Sequence, residues 1–409
     1  MKSITVKKKV RLRRQKLSAG ETMFLALWLL YQVTYILMVQ SEYRYIIPSA
    51  SSVFNRLQLP IIAALFCKIL FFDNKLNYRI IWSVVVFLLV FISARNCGNY
   101  HILTACAFAL GYKGVDTRRF ITLDIWIKIV LIVFVIGSCL LGIIPNYTIV
   151  TGAGEVEKAA FGFYHPNVLG NYALAALLEW LYLNYKKFTW RHSVIYLGVI
   201  ALLYSVCRAR TAIYSAVLIL VLMLCIKLFP GLSVKRKFVR FLLVISAPLC
   251  AAASFFAGYF YRSSSAVWAA LDSLLTTRIR MMHYFLSNDG ISLLGQSIEI
   301  VGSREARTVG TVSIILDNSY VKLGIMYGVV VLALICIFYS RFNHTLLLRD
   351  NYALLLLSCY YIFLGIAENY FFIPAFNITF VLIFTFEGNV RKQVAGSFKR
   401  KIGFRFSRR

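Results

Sequence analysis

Polar residues that could carry chemistry stand at the ends of long apolar runs in this 409-residue sequence. Arginine is prominent among them, and its planar guanidinium binds two oxygens of a phosphate or diphosphate at once. A histidine or glutamate beside such arginines could act as a general base. The set comprises Arg95, His165, Asn167, Arg208, Arg210, Arg278, Arg280, Arg304, Arg307, Asp317, Asn318 and Glu368.

The same residues also allow structural interpretations, which the sequence leaves open. Arginines at the ends of apolar helices anchor them by contact with lipid head groups. His165 precedes Pro166 in the stretch FGFYHPNVLGNY at 161–172, and proline is tolerated in a first helical turn. Asp317, in LDNSY, is a candidate N-cap for the apolar run that follows it.

The composition predicts an all-α, polytopic membrane protein. Hydrophobic residues make up 60% of the chain and the mean hydropathy is +0.73, which excludes an ordinary soluble globule. Runs long enough to cross a bilayer as helices recur along the sequence. Twelve spans are predicted, or as few as ten because two of them are short: 21–40, 56–72, 80–95, 99–112, 121–144, 166–185, 193–206, 211–229, 241–260, 318–339, 352–367 and 373–387.

The distribution of basic residues predicts that both termini are cytoplasmic. Of the 45 Lys and Arg residues, 30 fall in the predicted inner segments, including the basic tails 1–20 and 388–409, and only 12 at the outer side. This is the positive-inside pattern. The net charge of +29 therefore indicates topology and contact with the lipid bilayer, and no groove-like basic pattern points to nucleic acid.

Lysines inside the spans fall near the inner ends. We expect Lys68, Lys128 and Lys227 to extend to the inner interface, with Asp124 four residues before Lys128 as a possible ion-pair partner. The sequence assigns no role to Glu179, which also lies near an inner end.

One outer segment is far longer than a simple connection. Within the predicted loop 261–317, apolar residues recur at three- and four-residue spacing, which predicts one amphipathic helix on the outer surface. The stripe would face away from Thr276, Thr277 and Arg280. Its members are Trp268, Leu271, Leu275, Ile279, Met282 and Leu286.

Motifs for nucleotide and metal chemistry do not occur in the sequence. There is no Walker loop, HExxH, GxSxG or metal-like carboxylate spacing, and the nine cysteines show no CxxC. We therefore predict no cofactor and no metal, and a single membrane domain over residues 1–409.

Five motifs in order resemble the O-antigen polymerase (Wzy-type) and O-antigen ligase superfamily. They are GFYHPNVLGNY, RARTAIY, LLTTRIR, LDNSYVKLGIMYG and GIAEN, and they cover about residues 160–370. The resemblance implies a glycosyltransferase at the outer face of the bacterial cytoplasmic membrane. Its substrate would be an oligosaccharide linked to undecaprenyl diphosphate. Capsule, exopolysaccharide or O-antigen would be the product.

The resemblance also implies roles for individual residues. Arg210, beside Thr211, and Arg278 match the arginines that bind the diphosphate, while His165 and Glu368 match the loop histidine and the carboxylate before the last span. Two arginines occur where one is usual, so Arg208 and Arg280 are further diphosphate-binding candidates. The HPN and DNSY motifs add the substrate-binding candidates Asn167, Asp317, Asn318 and Tyr320.

The implied reaction is a metal-independent, inverting glycosyl transfer that polymerises repeat units. A ligase that moves the polymer to another acceptor, and a flippase for the same lipid-linked sugars, are the alternatives. A chain-length regulator and a flippase of the same pathway would be the protein partners. Arginines at the outer ends favour an enzyme over a flippase, for which midplane charges are expected.

Overall fold

The computed structural model describes residues 17–73, 78–151, 156–208, 210–228, 236–302, 306, 310–311 and 313–384, apart from the side chains at 78–80, 150–151, 156–157 and 210–211. The described chain is almost entirely helical, as predicted. Its elements are α1 (Ala19–Val39), α2 (Tyr43–Ile46), α3 (Ala50–Phe71), α4 (Tyr78–Cys97), α5 (His101–Gly111), α6 (Thr117–Leu140), β1 (Thr148–Thr151), β2 (Val156–Ala159), α7 (Pro166–Asn184), α8 (Trp190–Cys207), α9 (Arg210–Leu228), α10 (Lys237–Val244), α11 (Ser246–Phe260), α12 (Ala266–Leu274), α13 (Arg278–Asn288), α14 (Ser319–Lys322), α15 (Val329–Leu348), α16 (Tyr352–Ala367) and α17 (Ile378–Leu382). The two strands pair as one antiparallel hairpin, with Thr148 opposite Ala159.

Several helices are suited to crossing a membrane. Within the described residues, five are long and apolar enough: α1, α3, α6, α8 and α15. The pair α10 and α11, bent by 64°, raises the number to six, and α5 and α16 are shorter apolar helices. Each of the twelve predicted spans contains helix. The protein is therefore a multi-pass, helical membrane protein.

The outward faces of the bundle carry large apolar side chains. Trp82 is 66% exposed, Trp126 61% and Leu202 63%. Such side chains in contact with water would be unfavourable, whereas lipid solvates them well. The exposed surface thus agrees with the composition in indicating a bilayer.

An aromatic stripe on α1 forms the centre of one half of the core. Phe24, Trp28, Tyr31 and Tyr35 recur at helical spacing and are at most 1% exposed. The indole ring of Trp28 lies 5.0 Å, edge to face, from the ring of Phe108 on α5. Edge-to-face pairs of this kind add to the stability gained by burial alone. Helices α3, α5 and α6 pack around α1 as a result.

The tenth predicted span is interrupted near its start. Helix α14 continues into a π-helical turn at Leu323–Tyr327, and α15 begins only after Gly328. A π turn frees carbonyl groups from the helical ladder. Here Ser292 Oγ donates to Ile325 O at 2.7 Å, and Ser93 Oγ donates to Tyr327 O at 2.5 Å. The loop before α14 and helix α4 therefore stabilise the break.

The predicted amphipathic helix is wrong as a single element. The chain breaks between α12 and α13, where Thr276 and Thr277 have φ of 53° and 67°. Ile279, Met282 and Leu286 on α13 are buried against α11, as the stripe predicted. Leu271 on α12 is 41% exposed. Thr276 and Thr277, which turn the chain, are residues that the sequence analysis places on the solvent face of one continuous helix.

Gly328 allows the break between the π turn and α15. Its φ of 92° is unfavourable for other residues, and a Cβ there would lie 2.4 Å from Leu293 O. We expect Gly328→Ala to destabilise the protein by about 1–3 kcal/mol. Thermal unfolding in detergent measures this, with Gly198→Ala on α8 as the control because no atom lies within 4 Å of its added methyl. Equal melting temperatures for the two variants would contradict the role of Gly328.

Candidate functional site

Three residues of the predicted set meet in one cluster of charges. Nη2 of Arg278 lies 2.8 Å from Oε1 of Glu368, and its Nε lies 3.7 Å from Oδ2 of Asp317. The side chains of Arg278 and Glu368 are 14% and 4% exposed, whereas that of Asp317 is 33% exposed. The cluster is therefore buried on the side of Glu368 and open on the side of Asp317.

The turn between α12 and α13 positions Arg278. Both threonines before it have positive φ, and Nη1 of Arg278 donates to Thr276 Oγ1 at 3.3 Å. The carboxylate of Asp272 on α12 accepts from the backbone N–H of Arg280 at 2.9 Å. This bond joins the two short helices across the turn, and the first residue of α13 is left facing the carboxylates.

Hydrogen bonds between α14 and the end of α16 position the two carboxylates. Glu368 is the residue that ends α16, and its carbonyl accepts from Ser319 Oγ at 2.6 Å. Nδ2 of Asn318 donates to Ile366 O at 2.9 Å. Asp317 directly precedes Asn318, so the same contacts bring it to Arg278.

Burial raises the pKa of the Glu368 carboxyl to about 8. Arg278 opposes this shift, and the negative charge of Asp317 adds to it. Burial likewise raises the pKa of Asp317, against the opposing effect of Arg278. A carboxyl group that titrates near neutral pH can accept and release a proton, which is the property required of a general base.

Two of the predicted substrate-binding residues have structural roles instead. Asn318 is fully buried, and its Oδ1 caps α14 by accepting from the N–H groups of Tyr320 and Val321. This also corrects the expectation that Asp317 is the cap. The hydroxyl of Tyr320, also fully buried, donates to Ile362 O at 2.6 Å. Neither side chain is open to a substrate.

His165 is the N-cap of α7, which agrees with the structural interpretation of this residue in the sequence analysis. Its Nδ1 accepts from the N–H of Asn167 at 3.1 Å, so a neutral ring carries its proton on Nε2. In that form the ring can donate a hydrogen bond, but its one acceptor nitrogen is already used. The segment before it is held to the end of α1, because the N–H of Tyr164 donates to Gln40 O at 2.9 Å. The geometry therefore favours Glu368 over His165 as the base.

Of the remaining predicted arginines, Arg208 and Arg280 do not join the cluster of Arg278. Arg208 is exposed and ends α8 with φ of 47°, while Arg280 is exposed beside Asp272. Arg210 begins α9, and its side chain is outside the described residues, as are Arg304 and Arg307. Cys207 and Gly170 line the same small apolar cavity. Because Cys207 ends α8 and Gly170 belongs to α7, the end of α8 lies near the first turns of α7.

Sequence reasoning missed two residues that interact electrostatically with each other, one of which also acts on the cluster. Lys322, at the end of α14, acts electrostatically on both Asp317 and His101. Nδ1 of His101 is buried without a hydrogen-bond partner, and its ring lies 5.6 Å from those of Tyr35 and Phe54. Lys322 could have been found, because it lies one helical turn after Asn318 in the DNSYVK motif. His101 carries no such signal.

Comparisons with models of known families, with curated proteins and with solved structures found no match for this chain. Within the described residues, no three His, Cys, Asp or Glu side chains are grouped so as to hold a metal ion. Functional inference therefore depends on the chemistry of the charged cluster.

Two arginines on α13 offer a matched comparison of stability. Arg278 pairs with a buried carboxylate, and Arg280 is exposed two residues away. Removing Arg278 leaves Glu368 buried without its partner, so we expect Arg278→Ala to cost about 3 kcal/mol and Arg280→Ala less than about 0.5 kcal/mol. Thermal unfolding of both purified variants measures the difference. Equal losses would mean that the ion pair does not form in the membrane.

Proposed function

We propose that this protein polymerises oligosaccharide repeat units linked to undecaprenyl diphosphate, at the outer face of the bacterial cytoplasmic membrane. In this proposal the twelve predicted spans cross the membrane with both termini inside, and the charged cluster opens outward. The product is a surface polysaccharide. The resemblance of the ordered motifs supports the substrate class, and the partners would be the flippase and chain-length regulator of the same pathway.

The pairing of Arg278 with Glu368 is the observation that carries the proposal. A cation that can bind diphosphate lies 2.8 Å from a buried carboxyl group whose pKa is raised to about 8. Glycosyl transfer from a diphosphate donor needs both functions in one site, one on each side of C1. One group stabilises the charge on the leaving oxygens, and the other accepts the proton of the attacking hydroxyl.

The reaction balances with the residues of this chain. The hydroxyl oxygen of one repeat unit attacks C1 of the sugar on the other lipid carrier, and the bond from C1 to the diphosphate oxygen breaks. The electron pair of that bond leaves with undecaprenyl diphosphate, whose new charge Arg278 stabilises. Glu368 takes the hydroxyl proton. Attack from the face opposite the leaving group inverts the configuration at C1.

Asp317 is the partner that an arriving diphosphate would replace. Its contact with Arg278 is the longer of the two, at 3.7 Å, and its side chain is the more exposed. Exchange of Asp317 for diphosphate leaves Glu368 in place as the base. Lys322 also interacts electrostatically with Asp317.

Complementation of a strain that lacks this protein tests the proposal. We expect Arg278→Ala to lower polymer synthesis about 100- to 1000-fold, the cost of losing one such charge contact. Arg280→Ala, at matched protein level, is the control and should retain most of the activity. The surface glycan and the lipid-linked sugars are separated by size for each strain.

Three outcomes distinguish the candidate functions. Collapse of the glycan ladder to single repeat units, with exported lipid-linked units outside, is the result expected of a polymerase. Full-length polymer retained on its lipid carrier would instead identify a ligase. Single units trapped on the inner leaflet would identify a flippase.

The pH dependence of transfer tests the role of Glu368. The carboxyl accepts a proton only when ionised, so kcat/KM should rise through about pH 8 and then level off. Asp317→Asn removes a charge that raises this pKa, so the rise should move to lower pH. Purified protein in nanodiscs with a lipid-linked repeat unit provides the assay. If Asp317→Asn and Glu368→Gln both leave the pH profile unchanged, Glu368 is not the general base.

A further inference from the structure

A second group of charges lies within the bundle, between α6 and α7. The ammonium of Lys128 donates to the carboxylates of Asp124 and Glu179, and all three side chains are 0% exposed. Lys128 therefore does not extend to the interface. The expectation from the sequence was wrong on this point. We call Asp124, Lys128 and Glu179 the Lys128 triad.

Asp124 is fully supplied with hydrogen-bond donors. Its Oδ1 accepts from Nε1 of Trp28 at 2.8 Å and from Nε2 of Gln32 at 2.9 Å, while Oδ2 accepts from Lys128. The hydroxyl of Tyr172 donates in turn to Oε1 of Gln32 at 3.2 Å. Both oxygens of the Asp124 carboxylate therefore have a donor.

Glu179, unlike Asp124, lacks a hydrogen-bond donor for one of its two carboxylate oxygens. Its Oε1 accepts from Lys128, but its Oε2 is buried without any hydrogen-bond partner. The carboxyl groups of Asp124 and Glu179 also act on each other directly. Two ionised carboxylates in contact are unfavourable in an apolar interior, and an unpartnered carboxylate oxygen adds to the cost.

The charges of the triad do not balance if both carboxyl groups are ionised. Two negative charges and one positive charge leave an excess of one negative charge. Asp124 and Lys128 are the charged groups that act on Glu179 in the described part of the chain; Tyr361 of α16 is a phenol. An uncompensated charge in a membrane interior is costly, so a bound proton is the natural neutralising ligand.

We propose that the Lys128 triad is a proton-binding site, with the proton on Glu179. The triad is then neutral, with one carboxylate, one ammonium and one carboxylic acid. The acid O–H, on the oxygen that otherwise has no partner, has Asp124 as an acceptor. The hydroxyl of Tyr361, which is also buried without a partner, interacts electrostatically with Glu179. This inference is independent of the proposed glycosyl transfer.

Infrared spectroscopy tests the proposal directly, because only a protonated carboxyl group gives a carboxylic-acid C=O band. Since Glu368 is also partly protonated near pH 7, all spectra are taken in the Glu368→Gln background. We expect a band at pH 7 that shifts in D₂O and disappears in Glu179→Gln. Lys128→Gln should retain the band, because an ionised Glu179 would be still less favourable without the ammonium group.

Thermal unfolding complements the spectra. Gln has the shape of a protonated Glu, and its carbonyl can still accept from Lys128, so Glu179→Gln should keep the melting temperature of its parent. Glu179→Ala, which removes that acceptor, should lower it. A folded Glu179→Gln protein with an unchanged band would overturn the proposal. Failure of Glu179→Gln to fold, with Glu179→Ala folding normally, would overturn it as well.

Discussion

A charge inside an apolar helix bundle must be matched by an opposite charge or by hydrogen bonds, and this requirement governs the polar residues of the protein. Lys68 pairs with Asp73 at 2.8 Å and also donates to the carbonyl of Gly111 at 2.6 Å. Lys128 pairs across α6 and α7, and Arg278 pairs across α13 and the end of α16. The polar groups that lipid disfavours therefore determine which helices are neighbours.

The charged cluster at Arg278 is neutral when Glu368 carries a proton, which its raised pKa of about 8 favours at pH 7. One guanidinium faces two carboxyl groups, of which Glu368 is buried and Asp317 is open to the surroundings. In the proposed reaction, an anionic ligand would gain access to Arg278 by exchanging with the open carboxylate, without first dehydrating a bare cation. This arrangement keeps an arginine in a mostly apolar environment and leaves it available for a ligand.

The sequence predicted a helical membrane protein, because apolar runs are visible locally, and the order of the motifs led us to place Arg278 and Glu368 in one site. It named Asp317 rather than Asn318 as the helix cap. Both residues can cap, and the contact with Ser254, 64 residues away, favours Asn318. Nor did it predict the role of Glu179, since its partner Lys128 lies 51 residues earlier. Such choices depend on which helices pack together.

The break at Gly328 has a consequence for biosynthesis. Ser93 on α4 binds the carbonyl of Tyr327, which is 234 residues further along the chain, and Asn96 binds that of Leu294. A chain made from its amino terminus inserts α4 long before these carbonyl groups have been translated. Helix α4 must therefore remain in the membrane without these two contacts until the last third of the chain arrives and supplies them.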